Sequence, residues 1–234
     1  MKNNHELKQL AKNSMNGYTS TLVLSMIIYI VVSKILGYIQ IGETAILQTV
    51  LLPILTIGLY SQALNLTLGN GITIKDLFIN FNLMLKSLLV NIIINVPIIL
   101  ITIPIIFVSR LTLEIAENNI DYFMESASIR LLIILAILVL TIIGAWYILI
   151  ITSQINFVIL DNTDLNVIDI IKHFIALTKN NKLRIFLLDL SFIPLQIVSI
   201  IFLGIPDLWV KPYYITAKAH LYNDLKESYC ANIF

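Results

Sequence analysis

The stretch IRLLIILAILVLTIIGAWYILIITSQINF, residues 129–157, indicates the class of protein to which this chain belongs. Arg130 is its only charged residue, and the apolar run that follows is longer than the roughly 20 residues with which an α-helix crosses the hydrocarbon core of a bilayer. A helix satisfies its backbone hydrogen bonds internally, which is required of any segment surrounded by lipid. The stretch therefore predicts a transmembrane helix.

The remaining sequence continues this pattern on both sides. Hydrophobic residues make up 58% of the 234 positions and charged residues 12%, whereas soluble domains carry about 25% charged residues. We therefore expect an all-α fold, a polytopic transmembrane bundle that forms a single integral membrane domain over residues 1–234. The expected spans number about six: 18–38, 45–68, 86–109, 129–157, 183–204 and 207–226. The last is the most polar, since it contains Lys218, His220 and Asp224, and could instead be an interfacial helix.

The distribution of lysine and arginine predicts the orientation of these spans. Lysines precede the first span and recur in the loops at 69–85 and 158–182, whereas the loop at 110–129 contains four acidic residues. Because cytoplasmic loops are enriched in Lys and Arg, both termini are expected in the cytoplasm. Abundant Ile and Asn with little Gly are typical of a low-GC bacterium, so the expected location is a bacterial plasma membrane, crossed several times.

Three short stretches resemble one another and suggest an internal repeat. They are residues 7–12, 74–78 and 167–172, each with apolar residues at helical spacing, and each precedes an odd-numbered span. Residues 86–91 also align with 184–189, which places Asn91 opposite Asp189. We expect three units, each a cytoplasmic amphipathic helix followed by a transmembrane hairpin. Chance similarity between Ile- and Leu-rich segments is the alternative.

No signature of a soluble enzyme is present. The sequence contains no HExxH, GxSxG or P-loop motif, and Gly69-Asn70-Gly71 is interpreted as a turn. Cys230 is the only cysteine, so it can form neither an internal disulfide nor a thiolate metal site. A net charge of +1 favours no nucleic-acid partner. We expect no catalytic residue, metal, cofactor or enzymatic activity, and partners limited to the lipid bilayer and other membrane proteins.

Polar side chains within the expected spans are the candidate functional residues. Asp189 is the most informative, because a carboxylate at the centre of a bilayer costs about 2.5–3.5 kcal/mol on insertion scales. The candidate polar layer comprises Asp189, Asn91, Gln62, Asn65, Gln154, Asn156 and Lys218. One interpretation is a hydrated cavity or a site for a headgroup, an ion or a peptide. The other is hydrogen bonding between helices, together with an Asp189–Lys218 or Asp189–Arg184 pair.

Two further expectations concern side chains near the ends of helices. Trp146, Trp209, Tyr213, Tyr214 and Tyr222 are interpreted as interfacial aromatic residues, which are common at the boundary between membrane and water. Asn166 or Asp164 is expected to cap the amphipathic helix that follows.

Several motifs in the second half of the chain resemble a known family. They are DNTDL at 161–165, KNNK at 179–182, DLSFI at 189–193 and GIPDLWVKPY at 204–213. Together they resemble the bacterial membrane family labelled domain of unknown function 975. Asn181, Pro194 and Pro206 depart from the family's glycines at turn and packing positions. The resemblance implies the membrane fold and location, but it brings neither an activity nor catalytic residues.

These observations leave two functional hypotheses from different classes. The first is a non-enzymatic membrane protein that acts through membrane or protein partners, in an accessory, immunity or envelope-stress role. The second is a small transporter or channel-like protein that uses the polar layer around Asp189. A third, an intramembrane lipid-modifying enzyme, would require a clustered acid, base or metal set, which the sequence does not contain.

Overall fold

A computed structural model describes residues 1–38, 44–94 and 153–231, together with a few isolated positions between 96 and 144. Every regular element in this part of the chain is helical, which confirms the all-α class. The expected spans 86–109 and 129–157, the acidic loop between them and Trp146 lie wholly or mostly outside the described residues. Contacts divide the chain into two units, residues 1–90 with 153–234 and residues 91–152. The elements below belong to the first, except for the end of α4.

The described residues of the first half of the chain form four helices and one short turn of 3-10 helix. These are α1 Asn4–Ser14, α2 Thr19–Tyr38, α3 Thr44–Thr67, the 3-10 turn Ile74–Leu77 and α4 Phe81–Ile94. Helix α1 begins with a capping box, in which the Asn3 side chain accepts from Glu6 N and the Glu6 side chain accepts from Asn3 N.

Residues 153–231 begin with four short helices and end with the longest of the described helices. These are α5 Ile155–Asp161, α6 Val167–Thr178, α7 Lys182–Leu190, α8 Ile193–Ile201 and α9 Asp207–Ala231. Asn166 caps α6 by accepting from Asp169 N at 2.9 Å, which confirms the first of the two expected caps. The expected fifth span is broken at Ser191 and Phe192. Pro194 lies in the first turn of α8, where a residue without an N–H is tolerated.

The second copy of the expected repeat differs from the other two. Residues 7–12 and 167–172 lie in the helices α1 and α6, but residues 74–77 form only a 3-10 turn, so the expected amphipathic helix is absent there. Leu77 is fully buried against α3 at Gly58, where an added Cβ would lie 1.9 Å from the Leu77 carbonyl oxygen. The turn is therefore held by a close approach between two backbones, which leaves no room for a helix.

Helix α9, the weakest expected span by hydropathy, is the most widely contacted helix of the first unit. It packs against α1, α2, α3, α6 and α8. It also buries polar and charged side chains, among them Thr216, Lys218 and Asp224. Such side chains are almost never buried without partners. The bundle is therefore organised around the most polar of the expected spans.

The outward faces of the other helices are strongly apolar. On α2 the exposed side chains Leu24, Ile27, Val31 and Ile35 follow one helical face, opposite the buried Leu22 and Met26. On α8 the exposed side chains include Ile197, Ile200 and Ile201. Within the described residues, Thr19–Gly37 and Lys182–Ile201 are long and apolar enough to cross a membrane, and Phe81–Ile94 is a shorter apolar helix. These two helices favour association of the chain with a membrane.

Candidate functional site

An ion pair between Asp189 of α7 and Lys218 of α9 lies at the centre of the candidate site. Lys218 Nζ is 3.0 Å from Asp189 Oδ1, and the two residues are 2% and 6% exposed. The Tyr214 hydroxyl donates to the same carboxylate oxygen at 2.9 Å, and Lys218 Nζ lies 4.2 Å from the centre of the Tyr214 ring. Because burial of either charge alone is costly, the pair ties α7 to α9.

Arg184, the other cation considered for Asp189, pairs with a different acid. Its guanidinium donates to Asp224 Oδ2 and to the carbonyl oxygen of Lys2. Asp224 also accepts from the main-chain N of Lys2, at 3.3 and 3.2 Å to its two oxygens. Lys218 and Arg184 therefore have separate acids. Asp189 Oδ2 is buried and has no hydrogen-bond partner among the described residues.

Gln62 links three segments of the first unit. Its Nε2 donates to Ser25 Oγ of α2 at 2.8 Å and to the Thr73 carbonyl oxygen at 2.9 Å, next to the 3-10 turn. Both Gln62 and Ser25 are fully buried. This arrangement matches the interpretation of buried amides as hydrogen-bonding groups between helices.

Gln154 and Asn156 lie around the start of α5. Gln154 is fully buried, and neither its Oε1 nor its Nε2 has a hydrogen-bond partner in the part of the chain that is described. The Asn156 side chain hydrogen-bonds with the Tyr60 hydroxyl, and the Tyr60 ring lies 4.9 Å from that of Phe157. Tyr60 is also close enough to Asp189 for an electrostatic interaction. Asn156 is thus linked to the ion pair through Tyr60.

The two remaining candidates lie elsewhere. Asn65 is half-buried on α3, and its carbonyl oxygen accepts from Asn70 N at 3.0 Å, in the turn expected at Gly69. Gly69 has φ +75°, a conformation that favours glycine. Asn91 is half-buried on α4 and belongs to the second unit. Its expected equivalence with Asp189 therefore stays a prediction.

The structure corrects the interpretation of two tyrosines as interfacial. Tyr222 is fully buried, and its hydroxyl donates to Asp161 Oδ2 at 2.8 Å. Tyr214 contacts the ion pair. Tyr214 precedes Lys218 by four residues and Tyr222 follows it by four, so all three lie on the same face of α9, and that spacing is the sequence signal that could have identified them.

A cavity of about 560 Å³ adjoins the ion pair and shares Tyr214 with it. Helices α2, α3, α8 and α9 form its walls. Its polar lining includes Tyr29, Gln196, Ser199, Asp207, Lys211 and Tyr214. Sequence reasoning missed Gln196, Ser199, Asp207 and Lys211, because no motif distinguishes isolated polar residues near a turn.

Helix α1 closes the break between α7 and α8. Lys8 Nζ donates to the Ser191 carbonyl oxygen at 2.7 Å and lies 4.5 Å from the centre of the Phe192 ring. Partial burial lowers the pKa of Lys8 below its usual value. Lys8 of this amphipathic helix therefore contacts the bundle, because a carbonyl freed by the helix break accepts from it.

The site contains charge pairs, amides and hydroxyls but no grouped metal ligands. Among the described residues, no three His, Cys, Asp or Glu side chains are close enough together to hold a metal ion. Cys230, near the end of α9, is exposed and unpaired. The arrangement can orient polar groups in an apolar surrounding and can bind a ligand by hydrogen bonds and charge.

Comparison with known proteins identifies the family. No curated protein and no solved structure matches the chain. The family described as protein of unknown function (DUF975) matches residues 1–229, which extends the resemblance from the second half of the sequence to nearly all of it. The chain therefore belongs to the DUF975 family.

Proposed function

We propose that the chain is a multi-pass protein of a bacterial plasma membrane, with six spans and both termini in the cytoplasm. The observation that carries this proposal is the distribution of polarity in the first unit. The ion pair Asp189–Lys218 is buried, whereas Ile200 and Leu203 are 76% and 92% exposed. Water disfavours that arrangement and a bilayer favours it, since charged groups within membranes face the interior of the bundle.

The three-unit repeat is part of this proposal in a reduced form. Two hairpins have described helices in both arms. The first consists of α2 and α3 and follows the amphipathic helix α1. The second pairs α7 and α8 with α9 and follows the amphipathic helix α6. The middle unit begins with the 3-10 turn at Ile74–Leu77 instead. Spans 86–109 and 129–157 would form its hairpin.

Topology provides the direct test. Reporter fusions after residues 118 and 228 should give an external signal at the first and a cytoplasmic signal at the second. The protein should also remain in the membrane pellet after extraction with alkaline carbonate. A cytoplasmic signal at 118, or an external one at 228, would overturn the six-span arrangement.

Within the membrane we propose a non-enzymatic role that depends on lipid or protein partners. Support comes from the way in which the polar side chains are used. Gln62 connects α2, α3 and the 3-10 turn, and the pairs Asp189–Lys218 and Arg184–Asp224 connect α7 with α9. Side chains used in this way hold a bundle together. The genes next to this one offer a simple check, since a bacteriocin operon would favour an immunity role.

A transporter is the second candidate, and one observation favours it. The fifth span is interrupted by a turn at Ser191 and Phe192, two residues after Asp189, and α8, which follows the turn, lines the cavity. Broken helices with charged groups at the break are a feature of transporter binding sites. Flux of protons into proteoliposomes, reported by a trapped pH-sensitive dye, separates the candidates. A transporter requires flux in the native protein that is lost in Asp189→Asn and Asp189→Leu. Equal flux in all three, at the level of empty liposomes, supports the non-transport role.

A further inference from the structure

The cavity bounded by α2, α3, α8 and α9 has the chemistry of a ligand site. Its volume of about 560 Å³ falls within the range of about 300–1,000 Å³ that is typical of small-molecule sites. Most of the wall is apolar and includes Met26, Leu59, Ile200 and Ile215. A ligand that fits it is therefore mainly hydrocarbon.

One polar group in the wall requires a partner that the described residues do not supply. Ser199 is 2% exposed, lines the cavity, and its Oγ has no hydrogen-bond partner in the part of the chain that the structure describes. A buried hydroxyl without a partner destabilises the structure, because the group has lost its hydrogen bonds to water. Gln196 lines the same wall three residues earlier on α8. An oxygen or hydroxyl on a bound molecule would satisfy Ser199.

An ion pair lies at one end of the cavity, in the first turns of α9. Lys211 Nζ is 3.1 Å from Asp207 Oδ2, and about half of the Lys211 side chain is exposed. Both residues also line the cavity. An anionic group alone would contact Lys211 but would be repelled by Asp207, and a cation alone would meet the opposite problem. A molecule that carries both charges can pair with both residues.

We propose that this cavity binds a zwitterionic aminophospholipid of the surrounding bilayer. The phosphate would contact Lys211 and the ammonium group Asp207. The ester region would accept from Ser199, and the first part of one acyl chain would lie along Met26, Leu59 and Ile215. Leu203 and Ile200, which are largely exposed next to the cavity, continue the apolar surface along which the rest of the lipid would lie. This inference depends on the membrane placement proposed above.

The sequence of α9 connects this site to the buried ion pair. Asp207, Lys211, Tyr214 and Lys218 follow one another at separations of four, three and four residues, so they lie on one face of the helix. Tyr214 both lines the cavity and donates to Asp189. A lipid in the cavity would therefore stabilise the end of the bundle that holds Asp189 and Lys218.

The test uses the full chain in nanodiscs that contain phosphatidylethanolamine and phosphatidylglycerol in equal amounts. A photoactivatable analogue of each lipid is added in trace quantity, and the labelled peptides are identified by mass spectrometry. The native protein should be labelled by the phosphatidylethanolamine probe in residues 196–215, well above the exposed faces of α2 and α7. Even labelling of all apolar faces would overturn the proposal.

Four variants locate the contacts. Ser199→Leu fills the cavity and Lys211→Gln removes the partner of the phosphate, so each should lower specific labelling by about tenfold, the factor that corresponds to 1.4 kcal/mol. Asp207→Asn leaves Lys211 unopposed and should shift the preference towards the phosphatidylglycerol probe. Ile201→Phe adds bulk on the exposed side of α8, outside the cavity, and should leave labelling unchanged. Labelling that Ser199→Leu leaves intact, or equal labelling by both probes of the native protein, would overturn the site.

The membrane placement and the lipid site can fail separately. A protein that is released by alkaline carbonate would remove both proposals. A protein that stays in the membrane but shows no specific label in residues 196–215 would remove the lipid site alone.

Discussion

Helices α8 and α9 are neighbours in sequence and differ in the side chains that they expose and bury. Helix α8 is apolar, yet Ile197, Ile200 and Ile201 are exposed, whereas the polar α9 buries Lys218 and Asp224. In water the apolar helix would be the buried one, because burial of hydrocarbon is the main driving force for folding there. The difference indicates that charged side chains of α9 face the interior of the bundle, whereas apolar side chains of α8 face outwards. It also supports the membrane placement proposed above.

The largest effect should follow from the removal of the Lys218 charge. Lys218→Leu leaves Asp189 buried without its cation, so we expect the free energy of unfolding, measured in mixed micelles by titration with a denaturing detergent, to fall by about 3–5 kcal/mol. The double variant Asp189→Leu/Lys218→Leu should recover most of that loss. Lys211→Leu, on the exposed pair of the same helix, should cost at most about 1 kcal/mol. Equal losses for Lys218→Leu and Lys211→Leu would break the comparison.

A second, somewhat smaller effect is expected at Asp224, the buried acid of α9. Asp224→Ala removes the partner of Arg184 and of the Lys2 main-chain N, so we expect a loss of about 3 kcal/mol. Unlike Lys218, Arg184 is partly exposed, and water can solvate it in part. The control is Lys226→Ala, which removes the more exposed ion pair with Asp161 and keeps the hydrogen bond between Tyr222 and Asp161. A loss for Asp224→Ala no greater than for Lys226→Ala would show that α9 is not held through its charges.

Glycine substitutions test the same contrast between interior and exterior on α2 and α3. Gly58→Ala places a Cβ 1.9 Å from the Leu77 carbonyl oxygen and should cost about 1–3 kcal/mol, because two backbones have to separate. At Gly37 nothing lies within 4 Å of an added Cβ. Gly37→Ala should therefore change stability by less than about 1 kcal/mol, in the stabilising direction. Identical melting temperatures for Gly58→Ala and the native protein would contradict the close approach.

The smallest effect is expected on the apolar outside of α8. Ile201→Ala should change the free energy of unfolding by no more than about 0.5 kcal/mol, because lipid or detergent solvates an exposed isoleucine as well as protein does. Leu188→Ala, at a fully buried position on α7, provides the calibration and should cost about 2–5 kcal/mol. A large loss for Ile201→Ala would mean that another part of the chain or a partner covers this face.

Helix positions were largely predictable, and the break in the fifth span was not. The expected segments 18–38, 45–68 and 207–226 correspond closely to α2, α3 and α9, because a long apolar or amphipathic run has few alternatives to a helix. Pro194 was visible in the sequence, but prolines are tolerated within membrane helices. Only the carbonyl of Ser191, turned towards Lys8, shows that α7 ends there.

The candidate site was predictable in its charges and not in its hydroxyls. A carboxylate and a lysine in neighbouring apolar helices have few ways to avoid a large desolvation cost other than pairing. The sequence therefore predicts that Asp189 pairs with either Lys218 or Arg184. The positions of Tyr214 and Ser199 in the site could not be predicted, since tyrosine and serine are tolerated both at membrane interfaces and inside helix bundles. The cavity that they share depends on the angle between helices, for which the sequence contains no local signal.

By itself, the sequence determined the helical class, the family and the residues whose charge requires a partner. Each of these follows from composition and from spacing along one helix, because an unpaired charge or backbone group in an apolar surrounding has a large energetic cost. The tertiary structure alone decided that α9, the most polar of the expected spans, packs against α1, α2 and α3, that Arg184 pairs with Asp224, and that Gly58 accommodates the turn at Leu77. Those outcomes depend on which groups, distant in the chain, contact one another in the folded protein. The sequence is compatible with several pairings of similar energy, and the packing of the helices selects one of them.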